Sequence, residues 1–405
     1  SVPDRVALGQ SRAATIAGSR GSCSASIETR TAASPARNST GRPMRLIGSI
    51  QTGTAIWRKA SARSIAARHR AARGPADPDT PQGRTDQMAR ILIVTPAAKT
   101  CSSGNRVTAE RYAGHFRALG HRVTLAEKID SHAADLLVAL HARKSGAALL
   151  DFVRRYPRRP TVLLLTGTDL YGDLMTSPTS RDAVAAAEQL VVYHDEALQN
   201  LPAKLRKKTE VIYKSCRPFA AAAVPLKRSF EISVSGHLRS VKDPLRAALA
   251  ARRLPAESRI RITQFGAALS RPLLQRAERE MERNRRYRYL SEVPRRRARQ
   301  LLARSRVLVV SSLIEGGANV IAEAVTDRVP VLASRILGNV GMLGPAYPGY
   351  FDLKNTEQLG ALMLRCEQDA RFYRTLRRAV ATRAPLFGPS RERAALGQLV
   401  KKLLT

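Results

Sequence analysis

The chain has 405 residues, 44% of them apolar, enough for two or three hydrophobic cores, and no apolar run approaches the ~20 residues of a membrane span. Its four cysteines, Cys23, Cys101, Cys216 and Cys366, lie far apart with no C-x-x-C pair, which argues against a zinc knuckle or a disulfide framework and for a reducing cytoplasm. A formal net charge of +37 suggests a polyanionic partner, but 5% aromatic content and the lack of any helix-turn-helix or RNA-binding signature favour a solvated basic face that attracts anionic substrates.

Residues 1–88 carry 14 Lys and Arg against 5 Asp and Glu, a net of +9, leaving +28 for the remainder. Apolar residues show no sustained period there, and Gly74 to Gly83 is polar and turn-rich, so a disordered segment is expected. Met88-Ala89-Arg90 leads straight into the strand-like Ile91-Leu92-Ile93-Val94. An over-extended reading frame explains this better than a transit-like peptide, although the segment is Arg-rich and acid-poor.

From residue 90, apolar runs at 90–95, 122–125, 135–140, 161–165, 189–193 and 210–213 alternate with helix-like stretches at about 106–119, 143–156, 181–188 and 196–205. This pattern predicts an α/β domain over 89–217, a parallel sheet with helices on both faces. After a linker over 218–228, runs at 230–235, 259–264, 306–311 and 329–333 predict a second doubly wound domain over 229–388, and 389–405 reads as a final amphipathic helix. Neither domain opens with G-x-G-x-x-G, and no Walker A sequence is present, which disfavours nicotinamide, flavin and P-loop chemistry. Two such domains form a cleft where the carboxyl ends of their sheets meet.

Several strand-end loops carry candidate chemistry. Ser102-Ser103-Gly104-Asn105-Arg106 is a small-residue loop opening a helix, an anion site by its free N–H groups. His141-Ala142-Arg143-Lys144-Ser145 follows one apolar strand and Thr166-Gly167-Thr168-Asp169-Leu170-Tyr171 the next. His141 either orients a substrate or shuttles a proton, or is a hydrogen-bonded structural residue, and Arg143 and Lys144 either bind an anion or form a solvated face. Asp169 reads as a base or as a helix cap. In the second domain, Gly236-His237-Leu238-Arg239-Ser240-Val241-Lys242-Asp243-Pro244 presents two cations that suit a pyrophosphate leaving group. Glu315-Gly316-Gly317-Ala318-Asn319-Val320-Ile321-Ala322-Glu323 then reads as a glycine loop and helix start between two carboxylates. Gly338-Asn339-Val340-Gly341 looks like a further glycine loop.

The two carboxylates resemble the E-x7-E signature of family-4-like glycosyltransferases with the GT-B fold, and Arg239 with Lys242 resembles that family's basic loop. The resemblance covers about 90–405. It implies two Rossmann-like domains facing a cleft, with the last helix crossing back onto the first. It further implies that Arg239 and Lys242 bind the donor diphosphate with Gly236, Gly316, Gly317, Ala318, Asn319 and Val320. Glu323 would take the ribose, Glu315 the sugar, and the backbone near Leu290, in Tyr287 to Pro294, the base. Asp327-Arg328 departs from the small residue and glycine usual before the next strand. Ser103-Gly104-Asn105-Arg106, Leu140-His141-Ala142-Arg143 and Leu165 to Tyr171 narrow the likeness to transferases that build carbon–selenium bonds. That implies a UDP-sugar, UDP-N-acetylglucosamine above others, and selenophosphate, an acceptor facing Ser103, Gly104, Asn105, Arg106, His141, Arg143, Lys144, Thr168 and Asp169. No D-x-D motif is present from residue 90 onward, so metal-independent transfer with no cofactor beyond the UDP-sugar is expected. The competing readings are a transferase of the same family with another acceptor, and a basic nucleic-acid-binding protein on a transferase fold.

Overall fold

The structure, a computed structural model, describes residues 88–99, 103–129, 134–221 and 223–405, all within one compact unit, Pro81–Thr405. The expectations for residues 1–87, Cys23, Cys101 and Ser102 lie outside the described residues.

Strands β1 (Arg90–Val94), β2 (Arg122–Ala126), β3 (Leu136–Leu140), β4 (Thr161–Leu164), β5 (Gln189–Val192) and β6 (Thr209–Val211) form a parallel sheet in the order β2-β1-β3-β4-β5-β6. They alternate with α1 (Gly104–Ala118), α2 (Gly146–Arg155), α3 (Pro178–Ala186) and the short α4 (Ala203–Arg206). Every residue of β3 is buried, because helices cover both faces of a parallel sheet. Its alternating side chains divide the core: Leu137 and Ala139 join α2's Leu149 and Phe152, while Leu136, Val138 and Leu140 join α1's Tyr112 and Phe116.

The second parallel sheet contains β7 (Phe230–Ser235), β8 (Ile260–Phe265), β9 (Tyr287–Tyr289), β10 (Val307–Val310), β11 (Val331–Ser334) and β12 (Tyr350–Phe351), in the order β12-β11-β10-β7-β8-β9. Helices α5 (Arg246–Ala251), α6 (Arg271–Arg283), α7 (Arg295–Arg304), α8 (Asn319–Thr326), α9 (Leu337–Leu343), α10 (Thr356–Gln368) and α11 (Ala370–Arg383) belong with it. The last helix, α12 (Pro389–Leu404), packs instead on the first sheet, placing Leu396, Leu399 and Val400 beside Tyr112 and Phe116.

Four details depart from the sequence expectation. The stretch 196–205 is not one helix: a 3-10 turn (Asp195–Asn200) ends at extended Leu201, because Pro202 bars the helical conformation in the residue before it. Strands β9 and β12 are too short to show a period. Gly338 to Gly341 lies inside α9 and is not a loop. Arg328 adopts the left-handed conformation (φ 57°) that favours glycine after a helix, while the Asp327 carboxylate accepts from Phe219 N–H (2.8 Å) and Arg299 (2.7 Å).

Candidate functional site

In the second sheet the strand order reverses between β7 and β10, the place where open α/β sheets bind ligands. The loops leaving these strands are stitched together. Leu313 N–H donates to the Val241 carbonyl (2.8 Å), and Ser311 Oγ donates to the Asp243 carbonyl (2.8 Å). Lys242 Nζ, on a 3-10 turn (Ser240–Lys242), forms an ion pair with Glu315 Oε1, which also accepts from Ser312 Oγ at 2.7 Å. Arg239 is exposed at the start of the same turn, and its side chain has no ion-pair or hydrogen-bond partner among the described residues.

Behind Glu315 the chain runs backbone to backbone against the first sheet. A Cβ on Gly316 would stand 2.4 Å from the Thr166 carbonyl oxygen, and one on Gly167 (φ 132°) 2.4 Å from Gly316 N. Only glycine permits this approach. Helix α8 follows, and among the described residues the N–H groups of Gly317, Ala318, Asn319 and Val320 find no acceptor. They therefore offer an anion four donors and the positive end of a helix dipole. Asn319 Nδ2 reaches the Gly104 carbonyl (3.3 Å), which brings the start of α1 beside the start of α8.

Glu323 lies one turn further, half-buried in a cleft of ≈ 460 Å³ that Arg111, Arg295, Arg299 and Arg393 also line. Burial raises its pKa although Arg299 and Arg295 oppose the shift. Gly236 N–H and Leu290 N–H are both used within the sheet, donating to the Phe265 and Gln264 carbonyls at 3.0 and 2.9 Å.

On the first sheet, His141 directly follows β3 and is 2% exposed and held at φ 76°. Its Nε2 bonds Thr168 Oγ1 (3.1 Å), and burial lowers its pKa, so the ring is neutral at physiological pH. Asp169 is fully buried. Its Oδ1 accepts from Thr166 N–H and Gly167 N–H, and its Oδ2 from Ala142 N–H, each at 2.8 Å. The carboxylate ties the β3 and β4 loops together and lies 3.7 Å from His141 Nδ1. Arg143 is exposed and paired with Asp173 (2.8 Å), Lys144 is exposed, and Arg106 is paired with Glu110 (2.7 Å). Ser103 Oγ caps α1 by accepting from Arg106 N–H (3.4 Å), while Asn105 is half-buried and Gly104 exposed.

Lys242 and Glu315 thus meet directly, as do His141 and Thr168, whereas Glu323 faces a different set of arginines. Two buried residues escaped the sequence reading. Lys214 donates to the Gly317 carbonyl (2.7 Å), and His194 fills the space beside Gly341, whose Cβ would stand 2.0 Å from the ring. The only sequence signal for Lys214 was a lone lysine in the apolar run Val211 to Cys216.

Comparison with known proteins bears on the same region. Residues 221–383 match the family model of glycosyl transferases group 1. A "Glycosyltransferase 1 domain-containing protein 1" of Xenopus tropicalis is 26% identical over 282 residues, 62% of this chain and 81% of that protein. Among solved structures, Anabaena Alr3699/HepE in complex with UDP and glucose superposes with a TM-score of 0.63 at 16% identity, covering 78% of this chain and 100% of that one. Sucrose-phosphate synthase from Thermosynechococcus elongatus gives 0.64 at 15%, covering 78% and 99%. The chain has the GT-B fold, and its similarity to group 1 glycosyl transferases lies in the part that holds the second sheet.

Proposed function

We propose that this GT-B glycosyltransferase moves a sugar, N-acetylglucosamine foremost, from a UDP-sugar to selenophosphate, the reaction of a selenosugar synthase in selenoneine biosynthesis. The observation that carries the donor half is the Lys242–Glu315 pair at the β7/β10 reversal, set against the unpaired N–H groups at the start of α8. The solved complex of HepE with UDP and glucose supports a nucleotide-sugar donor on this fold. Support for the acceptor is the sequence resemblance, together with the cationic Arg143 and Lys144 beside the His141–Thr168 pair.

In this reading the anomeric C1–O bond breaks as a C1–Se bond forms, and the electron pair leaves on the β-phosphate oxygen of UDP. Arg239, Lys242 and the helix start stabilise that charge. Glu315 exchanges its bond to Lys242 for the sugar hydroxyls, and Glu323 takes the ribose. The selenium nucleophile is already anionic and needs no strong base, so neutral His141 orients the acceptor. Cytoplasmic location accords with the spacing of the cysteines.

A second reading keeps the donor and changes the acceptor to a sugar, lipid or thiol. It is favoured by the extent of the family match, 221–383, which leaves the first sheet uncovered. Mass spectrometry of products from the full chain with UDP-N-acetylglucosamine and selenophosphate separates the two, beside Glu315→Ala and a phosphate-only control. A selenium isotope pattern on a hexosamine, absent with Glu315→Ala, is the expected result. UDP release without selenium incorporation removes the acceptor assignment, and no turnover of any UDP-sugar, with salt-dependent binding to random DNA instead, removes the transferase reading.

A further inference from the structure

Lys214 follows β6 and is 5% exposed. Its Nζ lies 2.7 Å from the Gly317 carbonyl oxygen and 3.9 Å from the centre of the Tyr193 ring. Among the described residues no carboxylate forms an ion pair with it. The charged and titratable groups around it come from five elements: Arg111 of α1, Tyr193 and His194 just after β5, Lys242 and Glu315 of the second-sheet loops, and Glu392 of α12. A buried ammonium is costly, and a neutral donor would bridge the two sheets as well.

Gly317 C=O and Ala318 N–H belong to one conjugated peptide group, so a cation on the oxygen draws electrons from the nitrogen and strengthens its N–H as a donor. Ala318 N–H is one of the four donors left open at the start of α8. We propose that Lys214 is a positioning residue of the donor site, whose ammonium both fixes the Gly317 carbonyl and polarises the Gly317–Ala318 peptide toward the diphosphate of the bound nucleotide. The inference rests on the donor reading above. Burial, with Arg111 next in weight, lowers the Lys214 pKa to about 7. The ammonium is therefore lost as pH rises through neutrality in the free enzyme, and an arriving diphosphate favours keeping it.

Calorimetric titration of the full chain with UDP-N-acetylglucosamine, and with uridine as the probe lacking phosphate, tests this between about pH 6 and 8.5. The donor's diphosphate diester has no proton to lose in that range. Wild type should bind the nucleotide sugar more weakly as pH rises. Lys214→Met should bind it about 10-fold more weakly at the acid end, with its uridine affinity unchanged. Lys214→Arg, whose charge does not titrate, should bind tightly with no such decline. Equal weakening of uridine and the nucleotide sugar in Lys214→Met would make the residue merely structural and overturn the inference. So would a wild-type pH profile retained in Lys214→Arg, a comparison that stands even if the Met variant does not fold. Wild type that binds no UDP-sugar at any pH removes the donor reading itself, and this inference with it.

Discussion

Gly338 and Gly341 stand three positions apart and so share one face of α9. A Cβ at Gly338 would fall 1.8 Å from the Glu315 carbonyl oxygen, and one at Gly341 2.0 Å from His194 Nδ1. The helix has two bare spots because each receives a loop from a different sheet. Gly338→Ala should therefore displace Glu315, destabilise the chain by about 1–3 kcal/mol and cut turnover at least about 10-fold. Thermal melting and steady-state kinetics check this, and a variant with wild-type turnover would break the link between α9 and Glu315. Spacing alone made this pair look like a turn, since glycine's need for space arises from partners far away in sequence. The loops that bring Lys242 and Glu315 together were legible because each directly follows an apolar strand. Lys214 was not, because its partner Gly317 lies 103 positions downstream.

At the scale of elements, the long apolar strands were readable from their runs, whereas β9 was not. Tyr287 and Tyr289 turn inward, bonding Gln264 Oε1 (2.8 Å) and the Gly266 carbonyl (2.7 Å), and alternate with an arginine exposed between them. Helix α12 was readable as amphipathic, but its anchor was hidden. Glu392 is 1% exposed and accepts from Arg111 Nε (2.8 Å), Ser215 N–H (3.0 Å) and Ser215 Oγ, with His115 Nε2 at 3.0 Å. Burial alone would raise its pKa, but Arg111, His115 and Ser215 together hold it at about 2, against an ordinary 4.5. The unfolded chain then binds the proton more readily, so the contribution, on the order of 3 kcal/mol, is present above about pH 4.5 and lost as pH falls through about 2. Urea denaturation across this window should show stability falling with acid in wild type and a flatter, lower profile in Glu392→Gln. Parallel profiles would mean that the network does not anchor the helix.

At the scale of the whole molecule, the alternation of strand and helix signals sufficed for two doubly wound sheets, because parallel sheets need apolar runs and crossover helices. The basic surface divides once seen in place. Between residues 276 and 306 lies a dense run of arginines: Arg283, Arg285, Arg288, Arg295, Arg296 and Arg297 are exposed, but Arg286 donates to the Pro255 carbonyl (2.6 Å) and Arg304 to Glu231 (2.8 Å), so part of the run is scaffold. With Tyr287 and Tyr289 buried, the run offers nucleic acid no aromatic stacking surface from these two residues. Its remaining charge should steer an anionic donor. The kcat/KM for the UDP-sugar is expected to fall as salt rises through about 0.15 M while kcat holds steady, and a salt-independent kcat/KM would leave the charge no part in donor capture.

The docking of α12 on the first sheet also sets a clock for synthesis. Glu392 lies 281 positions after its partner Arg111, so at about 5–20 residues per second the ribosome needs roughly 15–60 s to deliver the helix. Through that interval the flank of Tyr112 and Phe116 that awaits Leu396, Leu399 and Val400 stays uncovered. The part of the molecule that begins folding first is thus completed last, and a chaperone that holds nascent apolar surface has its natural target there.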